Sequence, residues 1–277
     1  MYVDLHIHSW FSDGTFSPQE IVKKALANNI SLISVCDHNT IDAYGELETI
    51  CNASGIGLMK GVEINAAMDG EEIHILAYGF DAENSALNNL LKYNRDVYDK
   101  SGKKLIKNIS KDYHDVCPDE YAEYKRNPKN GGWDSLDYLF TKGIVSDFYS
   151  YVKMAQKYGT VENAKFLHPA DVIKIIHDAG GQAVLAHIGH IANGTDACVQ
   201  LAAQFLDMGI DGFECYYPAH SAEFSECIAG FCRKHDLIIT AGGDEHGRFA
   251  AFGDHSEFYI GAVKYTAEQL CLRGLAQ

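Results

Sequence analysis

In VDLHIHSWFSDG (residues 3–14), two histidines stand one residue apart behind a short apolar run, and an aspartate follows five residues later. Read as a strand, Val3 and Leu5 face one way and Asp4 and His6 the other. His8 then shares the face of His6, because side chains alternate with a period of two. Two adjacent imidazoles make a poor core and a good metal clamp. Similar residue types follow the later apolar runs. SLISVC leads into Asp37-His38, GLMKGV into Glu63, AVLA into His187 and LIITAGG into Asp244-Glu245-His246, while HILAYG carries His74. Residues able to bind metal at the carboxyl ends of successive strands are how α/β barrels build their active sites. Histidines scattered through a core would not collect there.

Nine residues qualify as ligands: His6, His8, Asp13, His38, Glu63, His74, His187, Asp244 and His246. One ion takes about four to six ligands, so nine imply two or three divalent ions sharing bridges. Mixed imidazole and carboxylate donors suit Mn, Fe or Zn and fit Ca or Cu(I) poorly. Glu63 and Asp244 are the expected bridges, since a carboxylate offers two oxygens and an imidazole one nitrogen.

The elements that must position these residues can be read around them. Ser17-Pro18-Gln19-Glu20 opens a helix with Ser at the N-cap, Pro at the first helical position and Glu closing a capping box. ISLISVC (30–36) is a buried strand, a helix spans about 43–54, and GLMKGVEI (57–64) is the next strand. A hairpin turned at Asp69-Gly70 returns through EEIHILAYG. Residues 82–165 are polar, rich in Lys, Asp, Asn and Tyr, and carry only helical periodicity. They read as an inserted helical cap or lid, with 1–81 and 166–277 forming the main domain. Alternation resumes with the helix PADVIKIIHDAGG, the strand QAVLAH, the helix TDACVQLAAQFLDMG, the strand DGFECYY, the helix HSAEFSECIAGFCRKHD and the strand LIITAGG. Seven strands with intervening helices predict an α/β chain folded as a parallel barrel.

HIH (6–8), Asp13, DH (37–38), Glu63, His74, the His187 of VLAHIGH and DEH (244–246) occur in the order of the PHP (polymerase and histidinol phosphatase) family, which this chain resembles from end to end. The resemblance implies a distorted (β/α)7, TIM-like barrel and a trinuclear centre. One ion would take His6, His8, Glu63 and Asp244, a second Glu63, His74 and His187, and a third Asp13, His38 and His246. It also implies a metal-dependent phosphoesterase, hydrolysing a nucleotide- or sugar-phosphate ester of a small metabolite with a metal-bridging hydroxide. Asp244 would stand at the reaction centre. His220, in ECYYPAHS (214–221), would face the substrate as proton donor or phosphate ligand, or else precede its helix as part of the cap. Arg248 is a candidate phosphate ligand. Close relatives acting on nucleoside bisphosphates carry an Arg-Pro-His-type segment in the inserted region. Here GWDSLDYLFTKG (132–143) puts Gly132 and Asp134 in those places, which leaves the substrate open. Asn39 also stands where an acidic residue is expected.

The bulk numbers bound these readings. A chain of 277 residues with 47% hydrophobic content suits one large domain with an insertion. The net charge of -15 argues against broad binding to long nucleic acid or an anionic membrane, while metal ions could still draw in a phosphorylated substrate. The eight cysteines include no C-x-x-C, and no leader or bilayer-spanning run is read, so reduced thiols and a cytoplasmic location are expected. The oligomeric state stays open. Among the other histidines, His114 and His255 read as surface, His168 as a helix cap, and His177 and His235 as helix residues. Tyr121, Tyr124, Trp133, Tyr138 and Phe140 are expected to pack at helical spacing or to wall a pocket. Cyclic phosphodiester hydrolysis, amidohydrolase-type C–N hydrolysis and short-oligonucleotide cleavage are the competing activities.

Overall fold

A computed structural model of the chain describes residues 1–159, 165–247 and 257–275. Arg248 and His255 lie outside the described residues. Three parallel strands, β1 (Tyr2–Ile7), β2 (Ile30–Val35) and β3 (Gly57–Leu58), form one sheet in that order. Five more, β4 (Gly61–Met68), β5 (Glu71–Tyr78), β6 (Gln182–Leu185), β7 (Gly212–Tyr216) and β8 (Ile238–Ala241), form a second sheet, also in chain order.

The parallel-barrel expectation is corrected here. Among the described residues the strands number eight, and β5 runs antiparallel to both of its neighbours. The cause is local. Asp69 and Gly70 both adopt positive φ (55° and 87°), the geometry of a two-residue primed turn, so β5 must fold straight back on β4. The predicted strand 57–64 is also split, because Gly57–Leu58 pairs with β2 and Gly61 onward with β5. Buried Tyr44 fills the break: its hydroxyl lies 2.9 Å from the Val35 carbonyl and 3.1 Å from that of Met59, and accepts from Gly61 N–H at 2.5 Å. Isolated bridges Ile7↔Glu245 and His38↔Glu63 tie the two sheets together, but they make no continuous closed sheet among the described residues.

Helices α1 (Pro18–Ala27) and α2 (Tyr44–Ser54) cover the first sheet, burying Ile21, Val22 and Leu47 against Ile7, Ile33 and Val35. Ser17 and Glu20 make the expected capping box. Helices α7 (Pro169–Asp178), α8 (Thr195–Asp207) and α9 (Ala222–His235) pack on the second sheet. His168 caps α7, its Nδ1 accepting from Ala170 N–H at 3.3 Å.

The stretch between β5 and α7 is helical: α3 (Ser85–Ile109), α4 (Pro118–Ala122), α5 (Asp134–Thr141) and α6 (Phe148–Tyr158). Leu87, Leu90 and Leu91 of α3 belong to the main core. Leu105, Ile106 and Ile109 belong instead to a second cluster with Tyr121, Leu136, Tyr138 and Tyr151. The aromatics of this stretch therefore mainly pack against one another, while Phe140 stays exposed.

Candidate metal centre

All nine candidate ligands converge at one place, and the topology explains why. His6 ends β1, with His8 and Asp13 just beyond it; His38 follows β2; Glu63 and His74 lie on the paired strands β4 and β5. His187 follows β6, and Asp244 and His246 follow β8. The bridges His38↔Glu63 and Ile7↔Glu245 draw the two sheets together at this point.

The donor atoms form three neighbouring sets. His6 Nε2 and His8 Nε2 are 3.1 Å apart, and each lies 3.1–3.4 Å from Glu63 Oε2 and Asp244 Oδ1. Glu63 Oε1, His74 Nδ1 and His187 Nε2 make a triangle with sides of 3.0, 3.1 and 3.3 Å. Asp13 Oδ2 is 3.3 Å from His246 Nε2 and 3.8 Å from His38 Nε2, which also lies 3.3 Å from Glu63 Oε2. Two donors each about 2.1 Å from one ion stand roughly 3.0–3.4 Å apart, from octahedral to tetrahedral geometry. The observed separations match, apart from the 3.8 Å between Asp13 and His38. The Nδ1 atoms of His8 and His38 are buried without a hydrogen-bond partner, so the rings are not held by a closed hydrogen-bond network of their own. The residues present fit divalent cations.

Glu63, expected to bridge, has one oxygen toward His74 and His187 and the other toward His6, His8 and His38. Asp244 differs. Only Oδ1 addresses the histidines, because Oδ2 accepts from the Tyr217 hydroxyl at 2.9 Å.

The electrostatics suit cation binding. Burial works to raise the pKa of Glu63 and Asp244, but the surrounding imidazoles outweigh it and hold both well below the usual carboxylate range. Asp13 is lowered likewise, chiefly by His246 and His38 against the effect of burial. Burial pushes His38 down to about 4, leaving it neutral. His74 and His246 are also opposed by burial, yet Glu63 in one case and Asp13 in the other raise them to about 10. The three carboxylates are thus anionic at neutral pH, and the protons on these two rings are ones a metal would displace.

An outer ring of residues holds the candidate ligands in place, and most of it has no clear mark in the sequence. Glu214, fully buried on β7, places Oε1 3.0 Å from His6 Nδ1 and accepts the His187 N–H through Oε2 at 2.9 Å. Glu72 accepts from His74 Nε2 at 3.1 Å and also from Tyr98 and Asn65. Asp37 accepts from Ser9 N–H and from the hydroxyls of Ser9 and Ser12 at 2.6–2.7 Å. The available signals were a lone acid in the apolar strand GFECY and an acid two residues before His74 on the same strand face. Asn39 is also structural: its N–H donates to the Glu63 carbonyl at 2.8 Å. Asn39, His187 and Asp244 adopt positive φ (53°, 26° and 49°), concentrating backbone strain at the cluster.

His220, expected either to face the substrate or to precede its helix as part of the cap, has both ring nitrogens engaged by backbone groups. Its Nδ1–H donates to the Cys215 carbonyl at 3.2 Å, and its Nε2 accepts from Gly189 N–H at 3.1 Å. Neither nitrogen is left to serve a leaving group or a phosphate in this arrangement. The ring braces the turn after β7 against the loop after β6.

Residues 4–212 match the family described as PHP domain. A 5'-3' exoribonuclease of Haemophilus influenzae is 30% identical over 248 residues, covering 88% of this chain and 89% of that protein. A 3',5'-nucleoside bisphosphate phosphatase of Chromobacterium violaceum is 27% identical over 249 residues, covering 88% of this chain and 87% of its own length. A solved structure from Bifidobacterium adolescentis, named for metal-dependent phosphoesterase activity, aligns with a TM-score of 0.78 at 21% identity, covering 99% of this chain and 96% of that one.

Proposed function

The chain belongs to the PHP domain family and is a metal-dependent phosphoesterase; from that premise we propose that it hydrolyses a small nucleotide-type phosphate ester at the nine-residue cluster, loaded with two to three divalent ions of Mn, Fe or Zn. The observation that carries this reading is the division of Glu63, whose two oxygens address different histidine sets. Such a carboxylate can join ions a few ångströms apart, the arrangement suited to in-line displacement at phosphorus.

Bound ions would acidify a water molecule and neutralise the phosphate oxygens. The chain's own groups prepare that chemistry. Glu214 and Glu72 hold one ring proton of His6 on Nδ1 and of His74 on Nε2, so the opposite nitrogens are the ones that would give up a proton to a metal. Tyr217 turns Asp244 so that Oδ1 faces inward. His6, His8 and Glu63 are closed to solvent, whereas the side chains of His38, His74 and His246 are 22–24% exposed, and the phosphate would enter on their side.

Within the proposal, residues 82–165 cap this open side. Fourteen of the 23 Lys and Arg and twelve of the 38 Asp and Glu fall there, leaving this stretch at +2 and the remainder at -17. That asymmetry, together with the similarity to a protein named as an exoribonuclease, supports a second reading in which the substrate is a short oligonucleotide.

The test is phosphate or nucleotide release by the Mn-loaded protein. The panel is a nucleoside monophosphate, a 3',5'-bisphosphate, a cyclic ribose phosphate and a 5'-phosphorylated trinucleotide. Release from one or more, abolished together with metal content in Asp244→Ala, supports the proposal. An active, metal-replete Asp244→Ala protein would overturn it.

A further inference from the structure

We infer that Arg126, from the helical insertion, is a positioning residue for the metal centre, holding the backbone loop that aims Asp13. The inference rests on the reading of Asp13 as a ligand. Arg126 lies between α4 and a short 3-10 turn at Pro128–Asn130, and its side chain is only 11% exposed. Its Nη2 donates to the Ser12 carbonyl and lies 3.3 Å from that of Trp10. Nη1 is 3.4 Å from the Pro128 carbonyl, and Nε is 3.7 Å from Asp134 Oδ1. Six residues on, Gly132 N–H donates to the Asp13 carbonyl at 2.7 Å. The insertion thus satisfies three carbonyls of the segment 10–13.

From the opposite side Asp37 grips the same loop through Ser9 and Ser12. Among its described contacts, the Asp13 carboxylate itself meets only the imidazoles of the cluster, including His8 Nδ1 at 3.4 Å from Oδ1, and the Ser12 hydroxyl at 3.2 Å. Its aim toward His246 and His38 therefore depends on the backbone on which it stands. A guanidinium suits this task because it is permanently charged and its Nη2 alone carries two N–H bonds, one for each of the two carbonyls. Burying it also forces those bonds to persist, since an unpaired buried cation is costly. The consequence is that the insertion builds one wall of the centre, and at this edge it cannot swing away without releasing Asp13.

The test titrates Mn2+ into EDTA-stripped full-length protein by calorimetry, for wild type, Arg126→Ala, Asp13→Ala and the double variant. Arg126→Ala should weaken one binding event by about 10–100-fold, the usual cost of losing a group that orients a ligand, and leave the others within about twofold. Millimolar guanidinium ion should restore it. In the Asp13→Ala background, adding Arg126→Ala should change nothing further. Should Arg126→Ala lose its fold by circular dichroism, Arg126→Gln, too short to reach both carbonyls, takes its place in the same titration. Unchanged Mn2+ binding in the folded variant, or an undiminished effect of the second substitution in the Asp13→Ala background, would overturn the inference alone. A wild-type protein that binds no Mn2+ would overturn the metal-centre reading as well.

Discussion

Glu214→Gln puts the orientation of the histidines to a demanding test. The native carboxylate is fully buried and accepts twice, from His6 Nδ1–H at 3.0 Å and from His187 N–H at 2.9 Å. Gln keeps the volume but supplies one acceptor and one donor. If its oxygen faces His187, its NH2 meets His6 Nδ1 and drives the ring proton to Nε2, the atom that faces His8, Glu63 and Asp244. If its oxygen faces His6, the NH2 opposes the His187 N–H. Either way a hydrogen bond to a charged group is lost, at a cost of roughly 1.5–3 kcal/mol. At about 1.36 kcal/mol per tenfold, that is an affinity loss of about 10–150-fold for the ion held by His6 and His8. The assay is Mn2+ titration of the stripped variant, with bound metal measured by mass spectrometry and phosphate release on the same samples. Activity should fall in step with occupancy and recover at high Mn2+. Titration curves superimposable on those of wild type would refute the reasoning, because they would show that Glu214 does not set the His6 tautomer.

Three further outcomes follow from the same geometry. A Cβ on Gly242 would lie 2.8 Å from Glu214 Oε1 and press on the His6 side chain. Gly242→Ala should therefore cost roughly 1–3 kcal/mol, lower the thermal midpoint by roughly 2–12 °C for a chain of this size, and reduce bound metal; an unchanged midpoint would contradict this close packing. His220→Gln should leave the shape of the pH–rate profile intact and reduce kcat by less than about tenfold, whereas loss of a general acid would remove one limb and cost about 10²–10⁴-fold. His74 and His246 titrate near 10 in the metal-free fold, above the ordinary histidine value of 6.5. Their stabilisation is complete below pH 6.5 and is lost as pH rises toward 10, so the midpoint of stripped protein should fall across that window, and Mn2+ binding at pH 7 should release protons. A midpoint that rises with pH from 7 to 10 would reverse the sign and reject the account of these two rings.

The parts of this molecule legible in the sequence are those governed by local rules. The Ser17–Glu20 capping box, the Asp69-Gly70 hairpin and the His168 cap each depend on a few neighbouring residues, and each forms as expected. The convergence of the nine candidate ligands was legible too, because the end of a strand can be recognised without knowing how the strands pair. Sheet organisation was not. Whether 57–64 pairs with β2, with β5, or with each in turn depends on Tyr44 filling the break, a contact made by tertiary packing. The outer ring stayed hidden for a related reason. Glu214 gains its meaning from a partner 208 residues away, and although Glu72 stands two residues before His74, an acid on a strand face has no role of its own until the strands pair. The engagement of both His220 nitrogens likewise follows from how the turn after β7 meets Gly189, not from its own sequence motif.

The most direct measurement is phosphate release as a function of Mn2+ bound per chain, starting from fully stripped protein and using whichever phosphate ester the substrate panel identifies. The account predicts no turnover at zero occupancy and a maximum once two to three ions are bound. Full activity in the stripped protein, or a maximum reached with fewer than two ions per chain, would contradict it.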